Sequence, residues 1–355
     1  TKLVPSLESI EKRKSFMQKV KRIFKTEWPS EPFKVYLFGS SCNKLATSTS
    51  DVDICISTES SKISDVRVLA KVLRKNGMCS VRCVFAKVQI VRFWDPALRL
   101  ACDININNTV ALHNTRMIKT FVDIDPRVQP LTMVIKYWAS RRAVNDAGVG
   151  GTLSPYTWVN LLFSFLQRRS PPVLPVLHPS GPVWNARMAD YESFVLSTQF
   201  DDDIAQLIGY GTRNTETLGR LLYEFFRTFA YDFDYRNAVV SLRHGRLLAK
   251  SEKDWDHGRF AGILCIEEPF DVRRNLGNSA DIDSLDGIRG EFERAVRCLE
   301  LDRSVETLCQ AYYTNLPIYP KRQHQPRKQP RRRQPASAKT NLLEDGPKLS
   351  TGSSK

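Results

Sequence analysis

The chain has 355 residues, 42% of them hydrophobic, with 53 Lys and Arg against 38 Asp and Glu for a formal net charge of +15. That length corresponds to about two domains with a tail, and the apolar content excludes a chain disordered throughout. The longest apolar run, 156–166, is interrupted by Asn160 and Ser164 and is too short to cross a bilayer, so the surplus charge points to an anionic partner: a nucleic acid, a nucleotide or a membrane surface.

In chain order, residues 1–30 read as a lysine-rich helix with Ile10, Phe16, Val20 and Phe24 about one turn apart, ended by Trp28-Pro29. It is expected to pack on the central helical region. The start at Thr1, with neither Met nor a signal pattern, reads as an excerpt of a longer protein. Residues 31–125 change to short strands at 33–38, 52–56, 88–93 and 98–106, with a helix at 64–75 among them, an α/β unit. Helical periodicity dominates 126–318, at 131–142, 156–167, 203–208, 215–231 and 287–301. Residues 319–355 are expected to be a disordered basic tail, with eight basic residues and no acid between Lys321 and Lys339. The tail suits nuclear import or attachment to an anionic surface equally. The eight cysteines lack CxxC pairs with histidine at ligand spacing, so they read as reduced thiols of an intracellular, cytoplasmic or nuclear, protein without structural metal.

The stretch that carries chemistry begins where a strand ends in Gly39-Ser40-Ser41; eleven residues after Ser40 a second strand starts Asp51-Val52-Asp53. Side chains at i and i+2 of a strand share a face, so the two aspartates point together while Val52 and Ile54 point into a core. Carboxylates held side by side repel unless a cation lies between them, and all-oxygen ligands favour Mg²⁺ or Mn²⁺. The glycine lets backbone approach a phosphate closely, and the serine supplies an N–H and a hydroxyl to hold it. A third acid, Asp103, stands among apolar residues of the strand 98–106, where a charge without a partner is costly. The same spelling at Asp123-Ile124-Asp125 and Asp281-Ile282-Asp283 lacks these companions and reads as coincidence.

Gly-Ser, Asp-x-Asp and a distant strand Asp together resemble the DNA polymerase β-type nucleotidyltransferase superfamily. Cys102-Asp-Ile-Asn-Ile-Asn-Asn108, Leu112-His-Asn-Thr115, Val134-Ile-Lys-Tyr-Trp-Ala139, Gly151-Thr-Leu-Ser-Pro-Tyr156 and Glu268-Pro-Phe-Asp-Val-Arg-Arg-Asn-Leu-Gly277 narrow the resemblance. In that order, over residues 30–300, they resemble the non-canonical poly(A) polymerases and terminal uridylyltransferases of the caffeine-induced-death type. The resemblance implies an α+β fold, a polymerase β-like palm domain beside a mainly helical central domain, with the active site in the cleft between the two lobes. It implies that Asp51 and Asp53 bind two Mg²⁺ (or Mn²⁺) ions and that Asp103 binds the one activating an RNA 3′-hydroxyl, which displaces pyrophosphate from a nucleoside triphosphate in line. Gly39, Ser40 and Ser41 would hold the triphosphate with Lys136 and Ser154. Asn108 and Thr115 would meet ribose and base, and Tyr156 would stack under the base. The lysine that the family carries four positions after Lys136 is here Ser140, with Arg141 as its substitute.

In the uridylyltransferases a histidine near the Asn-Leu-Gly element helps to select uracil; here that position is Arg274. Arginine only donates hydrogen bonds. Cytosine offers N3 and O2 as adjacent acceptors, whereas uracil N3 carries a proton. The cytosine amine needs an acceptor, which Asp271 or Glu268 would supply, and adenine is also compatible. The expected order is C over A over U, as in a cytidine-preferring fungal mRNA-tagging branch (CutA type). The expected function is template-independent addition of nucleotides to RNA 3′ ends by a monomer that binds no membrane. The alternatives are a poly(A) polymerase, a terminal uridylyltransferase or an inactive RNA-binding scaffold on the same fold.

Overall fold

A computed structural model of the chain describes residues 3–86, 88–148, 151–185, 198–302 and 304–312; the tail expected at 319–355 lies outside the described residues. Helix α1 (Leu7–Glu27) is capped by Ser6 Oγ, which accepts from the Ser9 amide. It precedes a five-stranded sheet of β1 (Phe33–Phe38), β2 (Val52–Thr58), β3 (Cys79–Val84), β4 (Ile90–Asp95) and β5 (Leu100–Ile106) in the order β1-β2-β5-β4-β3. The β2–β5 pair is parallel and the others are antiparallel. Alternation along the strands gives the sheet two unlike faces. Val52, Ile54, Val91, Phe93, Cys102 and Ile104 share the buried face with Phe16, Val20 and Phe24 of α1 and with Leu69 and Leu73 of α2 (Val66–Lys75).

This packing corrects the expectation that the N-terminal helix sits on the central helical region: α1 covers the back of the palm sheet. The apolar stripe finds its match in Phe93, whose ring lies 6.1 Å from that of Phe16, and Lys19 Nζ reaches the buried Asp95 at 2.7 Å. Leu3, ahead of the helix, does touch the helical lobe. Strand β3 was not foreseen, because an edge strand with mostly exposed side chains carries no apolar signature.

The second core is built by α3 (Val110–Ile124), α4 (Val128–Arg141), α5 (Pro155–Gln167), α6 (Leu218–Arg227) and α7 (Ile282–Leu301). At its centre Trp138 packs against Trp158 and Phe226, with ring centroids 5.3 and 4.8 Å away. Helix α3 also went unforeseen. Its buried Met117, Phe121 and Ile124 join this helical core, so the two cores change over ahead of the boundary expected at residue 125. A three-stranded sheet, β6 (Ala238–Ser241), β7 (Arg246–Ala249) and β8 (Cys265–Glu267), ordered β7-β6-β8, interrupts the helices; its strands are too short to read by periodicity.

Candidate active site

Strand register assembles the acidic centre. Across the exposed face of the first sheet, Phe38, Asp53, Asp103, Arg92 and Arg82 stand side by side on β1, β2, β5, β4 and β3. Asp51 immediately precedes β2 on the same parity as Asp53. Burial, then Asp103 and Asp51, push the Asp53 carboxyl up to about 7, and burial followed by Asp103 raises Asp51. Asp103 gives both oxygens to Arg92, at 2.8 and 2.6 Å. Asp51 and Asp53 are thus short of positive charge, which suits an all-oxygen divalent-cation site, while Asp103 is paired with Arg92. Among the described residues the group with donor atoms all within 4.8 Å of one another is instead Asp254, Asp256 and His257. That trio is mostly exposed, and His257 Nδ1 is held by Asp256 at 2.9 Å.

Gly39 begins a 3-10 turn, Gly39–Ser41, at the end of β1 with φ +67. A Cβ there would lie 2.3 Å from Asp53 Oδ2, so both the backbone conformation and the space require glycine. Thr115 stands against this turn. Its hydroxyl, 8% exposed, donates to Ala111 O (2.7 Å) and accepts from the Gly39 amide (2.9 Å), so it clamps the turn to α3. Asn108 follows β5, with its backbone amide at the Cys55 thiol, two residues along β2 from Asp53 on the same face. The adjacent Asn107 pairs with Thr58 at the far end of β2, and Asn108 lines a small pocket there with Ser64 and Gln89.

Two side chains missed in the sequence complete the acidic end. Arg13, 6% exposed, donates to Ser41 Oγ (3.2 Å), Asp51 O (3.3 Å), Thr47 O (3.1 Å) and Ser50 O (2.6 Å), tying α1 to the whole loop between Gly39 and Asp53. Its signal was a charged residue on the apolar stripe of α1. Arg92 had no local signal, since its partner is defined by strand register. Lys136 on α4 donates to Leu45 O at 2.6 Å, close enough to feel Asp53; burial pulls its ammonium down to about 8.

The other end of the site is built from α5 and the loop after β8. Ser154 caps α5 by accepting from the Thr157 amide (3.1 Å). Tyr156 donates to Glu268 Oε1 (2.8 Å), and burial followed by Glu268 holds its hydroxyl well above the usual range. Glu268 is buried, and its Oε2 accepts from the amides of Phe270 (2.8 Å) and Asp271. Both oxygens are spent, which corrects its expected role as a partner of the base: it shapes the loop. Asp271 lies 3.5 Å from the Arg273 guanidinium. Arg274 is exposed, and its side chain makes no hydrogen bond among the described residues. Asn275 holds Ile266 N and Gly277 N, each at 2.8 Å, and a Cβ on Gly277 would meet Leu264 O at 2.0 Å, which accounts for the Asn-Leu-Gly element.

Helix α3 joins the two ends. Thr115 grips Gly39, while His113 packs its ring 6.2 Å from Phe270 of the Glu-Pro-Phe loop. Between them, the buried Asn114 Oδ1 has no hydrogen-bond partner, an orphaned acceptor between the acidic centre and the base loop. The chance Asp-x-Asp pairs serve structure: Asp123 binds Lys44 and Lys119, Asp125 binds Arg127, and Asp281 caps α7.

A family model described as "Poly(A) RNA polymerase, mitochondrial-like, central palm domain" matches residues 1–123, α1 included, and one described as "Cid1 family poly A polymerase" matches residues 217–274. The chain is 42% identical over 306 residues to the poly(A) RNA polymerase cid13 of Schizosaccharomyces pombe, spanning 85% of this chain and 52% of that protein. It is 42% identical over 310 residues to cid11 of the same organism, spanning 87% and 62%. The chain therefore covers little more than half the length of these relatives. Against human terminal uridylyltransferase 4 the identity is 36% over 258 residues, 70% of this chain and 15% of that protein. The structure of Cid1 with its short product ApU superposes with a TM-score of 0.74 at 28% identity, covering 87% of this chain and 94% of that one.

Proposed function

The chain belongs to the Cid1-type family of poly(A) polymerases and terminal uridylyltransferases, and on that premise we propose that it transfers nucleotides, without a template, from ribonucleoside triphosphates to RNA 3′ ends. One observation carries the reading: Asp53 and Asp103 stand on neighbouring strands beside Asp51, with a glycine turn pressed against Asp53. Two Mg²⁺ ions held by the three aspartates would supply the Lewis acidity that the attacking and leaving oxygens require. The Ser40 hydroxyl and the Ser40 and Ser41 amides would face the triphosphate, the Gly39 amide being held by Thr115, and Lys136 brings positive charge beside Asp53. Arg13 holds the loop between turn and carboxylates, so that phosphate and acids keep one spacing. Tyr156 gives the base a stacking surface, and its bond to Glu268 fixes the ring.

Base choice falls to Arg274. A guanidinium suits the N3 and O2 acceptors of cytosine, and with Glu268 fully engaged the cytosine amine is left to Asp271. The preferred order is C over A over U, which suits tagging of mRNA 3′ ends. Labelled RNA incubated with Mg²⁺ and each nucleoside triphosphate in turn tests both statements. Extension with CTP above ATP above UTP is expected. No extension with any of them refutes the transferase, and preferred use of UTP refutes the role given to Arg274.

A further inference from the structure

The sheet face that carries Asp53 and Asp103 continues beyond them. Arg92 on β4 and Arg82 on the edge strand β3 extend the row, and two residues along β4 on the same face stands Trp94, opposite Ala101. Val91, Phe93 and Asp95 alternate with these and are buried on the other side. Trp94 is 38% exposed and belongs to none of the three hydrophobic clusters. Flanked by Ala101 on β5 and Cys79 on β3, both small, the tryptophan keeps part of its surface in solvent. Strands about 4.8 Å apart with a rise of about 3.3 Å per residue place it roughly 8 Å from Asp103.

We propose that Trp94 and Arg82 form a platform for the 3′-terminal segment of single-stranded RNA. The indole stacks on a base just upstream of the reacting nucleotide, and Arg82 meets the adjoining phosphate. The inference rests on the transfer reading above, since it needs a 3′-hydroxyl at Asp103. Two features select this occupant. The surface is continuous with the carboxylates that the strand end must reach, and the pairing of a part-exposed aromatic ring with a basic side chain matches the alternation of base and phosphate along a strand. Every base has a π-face, so the platform holds RNA without reading its sequence, as a template-independent enzyme requires.

Extension of a labelled oligoadenylate, with primer concentration varied at saturating CTP, gives the primer KM, and fluorescence anisotropy of the same oligonucleotide gives its Kd. Trp94→Ala is expected to raise both by about 5- to 150-fold, while the KM for CTP and the melting temperature hold. Trp94→Phe should recover most of the loss. Arg82→Gln should lower the slope of log Kd against log salt by about 0.7, one phosphate contact on a single strand. An unsubstituted chain that extends no RNA overturns the transfer reading and this one with it. Extension by that chain, with primer KM and Kd unchanged in Trp94→Ala and Trp94→Phe, overturns the platform alone and returns the surface to another partner, such as an acidic protein.

Discussion

Replacing Lys253 by methionine tests how the base-facing loop is held. Lys253 and Glu267 are both buried and ion-paired; the ammonium also donates to Val272 O at 2.7 Å and lies 5.2 and 4.9 Å from the rings of Trp184 and Trp255. Val272 is part of the loop that carries Asp271 and Arg274. Methionine fills a similar volume but brings neither charge nor donor. Glu267 would keep Ser241 Oγ at 2.6 Å, with His244 Nε2 4.0 Å away. Breaking a buried pair by removing one partner costs about 3–5 kcal/mol, most of it from the charge left behind. With roughly 1.3 °C of melting temperature per kcal/mol in a chain of 355 residues, the expected drop is roughly 4–7 °C. Adding Glu267→Gln removes the stranded charge and should recover at least half of it. Melting followed by circular dichroism gives the stabilities, and primer extension with each triphosphate shows whether loosening Val272 also blurs base choice. A Lys253→Met chain melting within about 2 °C of the unsubstituted one, or a double variant no better than the single, refutes the reasoning.

Asp103→Ala is expected to abolish RNA extension while leaving the circular dichroism spectrum unchanged; retained extension refutes its place in the metal site. Arg274→His should move nucleotide preference toward UTP in parallel single-nucleotide assays, and an unchanged order counts against the guanidinium as selector. Thr115→Val leaves the Gly39 amide without its acceptor, so stability should fall by about 1–3 kcal/mol in denaturant titration. Extension should slow by up to about 100-fold through displacement of the turn, and Thr115→Ser should restore both. His178 is packed beside Phe200 and Phe270, both ring nitrogens lack partners among the described residues, and burial followed by Arg243 pulls it down to about 3. A base depressed by folding keeps its full stability above its unfolded pKa of about 6.5 and loses it as pH falls toward 3, by up to about 1.4 kcal/mol per pH unit. His178→Phe should therefore flatten the loss of stability between pH 6.5 and 5 in chemical denaturation; an unaltered acid limb refutes this.

What the sequence made legible was local. Gly39, Asp51 and Asp53 fall within one turn and one strand start, and Asp103 betrays itself as a charge in an apolar strand. Arg92 acquires its meaning only when β4 is laid beside β5, and Arg13 only when α1 is laid against the palm. Thr115 gains a second role for a related reason. A motif gives order along the chain, and only the fold shows that the hydroxyl of Thr115 clamps the Gly39 turn to α3. Glu268 lay in a motif whose first residue serves the loop's own amides, which spacing alone does not distinguish from a ligand to the base.

The parallel pairing of β2 with β5 has a consequence for how the protein becomes active during folding. Val52 lies beside Cys102 and Asp53 beside Asp103, partners some fifty positions apart in the chain. Such a contact closes late, after local helices and hairpins have formed. A slip of one residue in β5 would turn Asp103 toward the apolar back of the sheet and Cys102 toward the cleft. The same register that buries Cys102 is what presents Asp103, so a misaligned palm is both poorly packed and inert. The Asp53–Asp103 pair therefore forms only when a pairing across some fifty residues is in register.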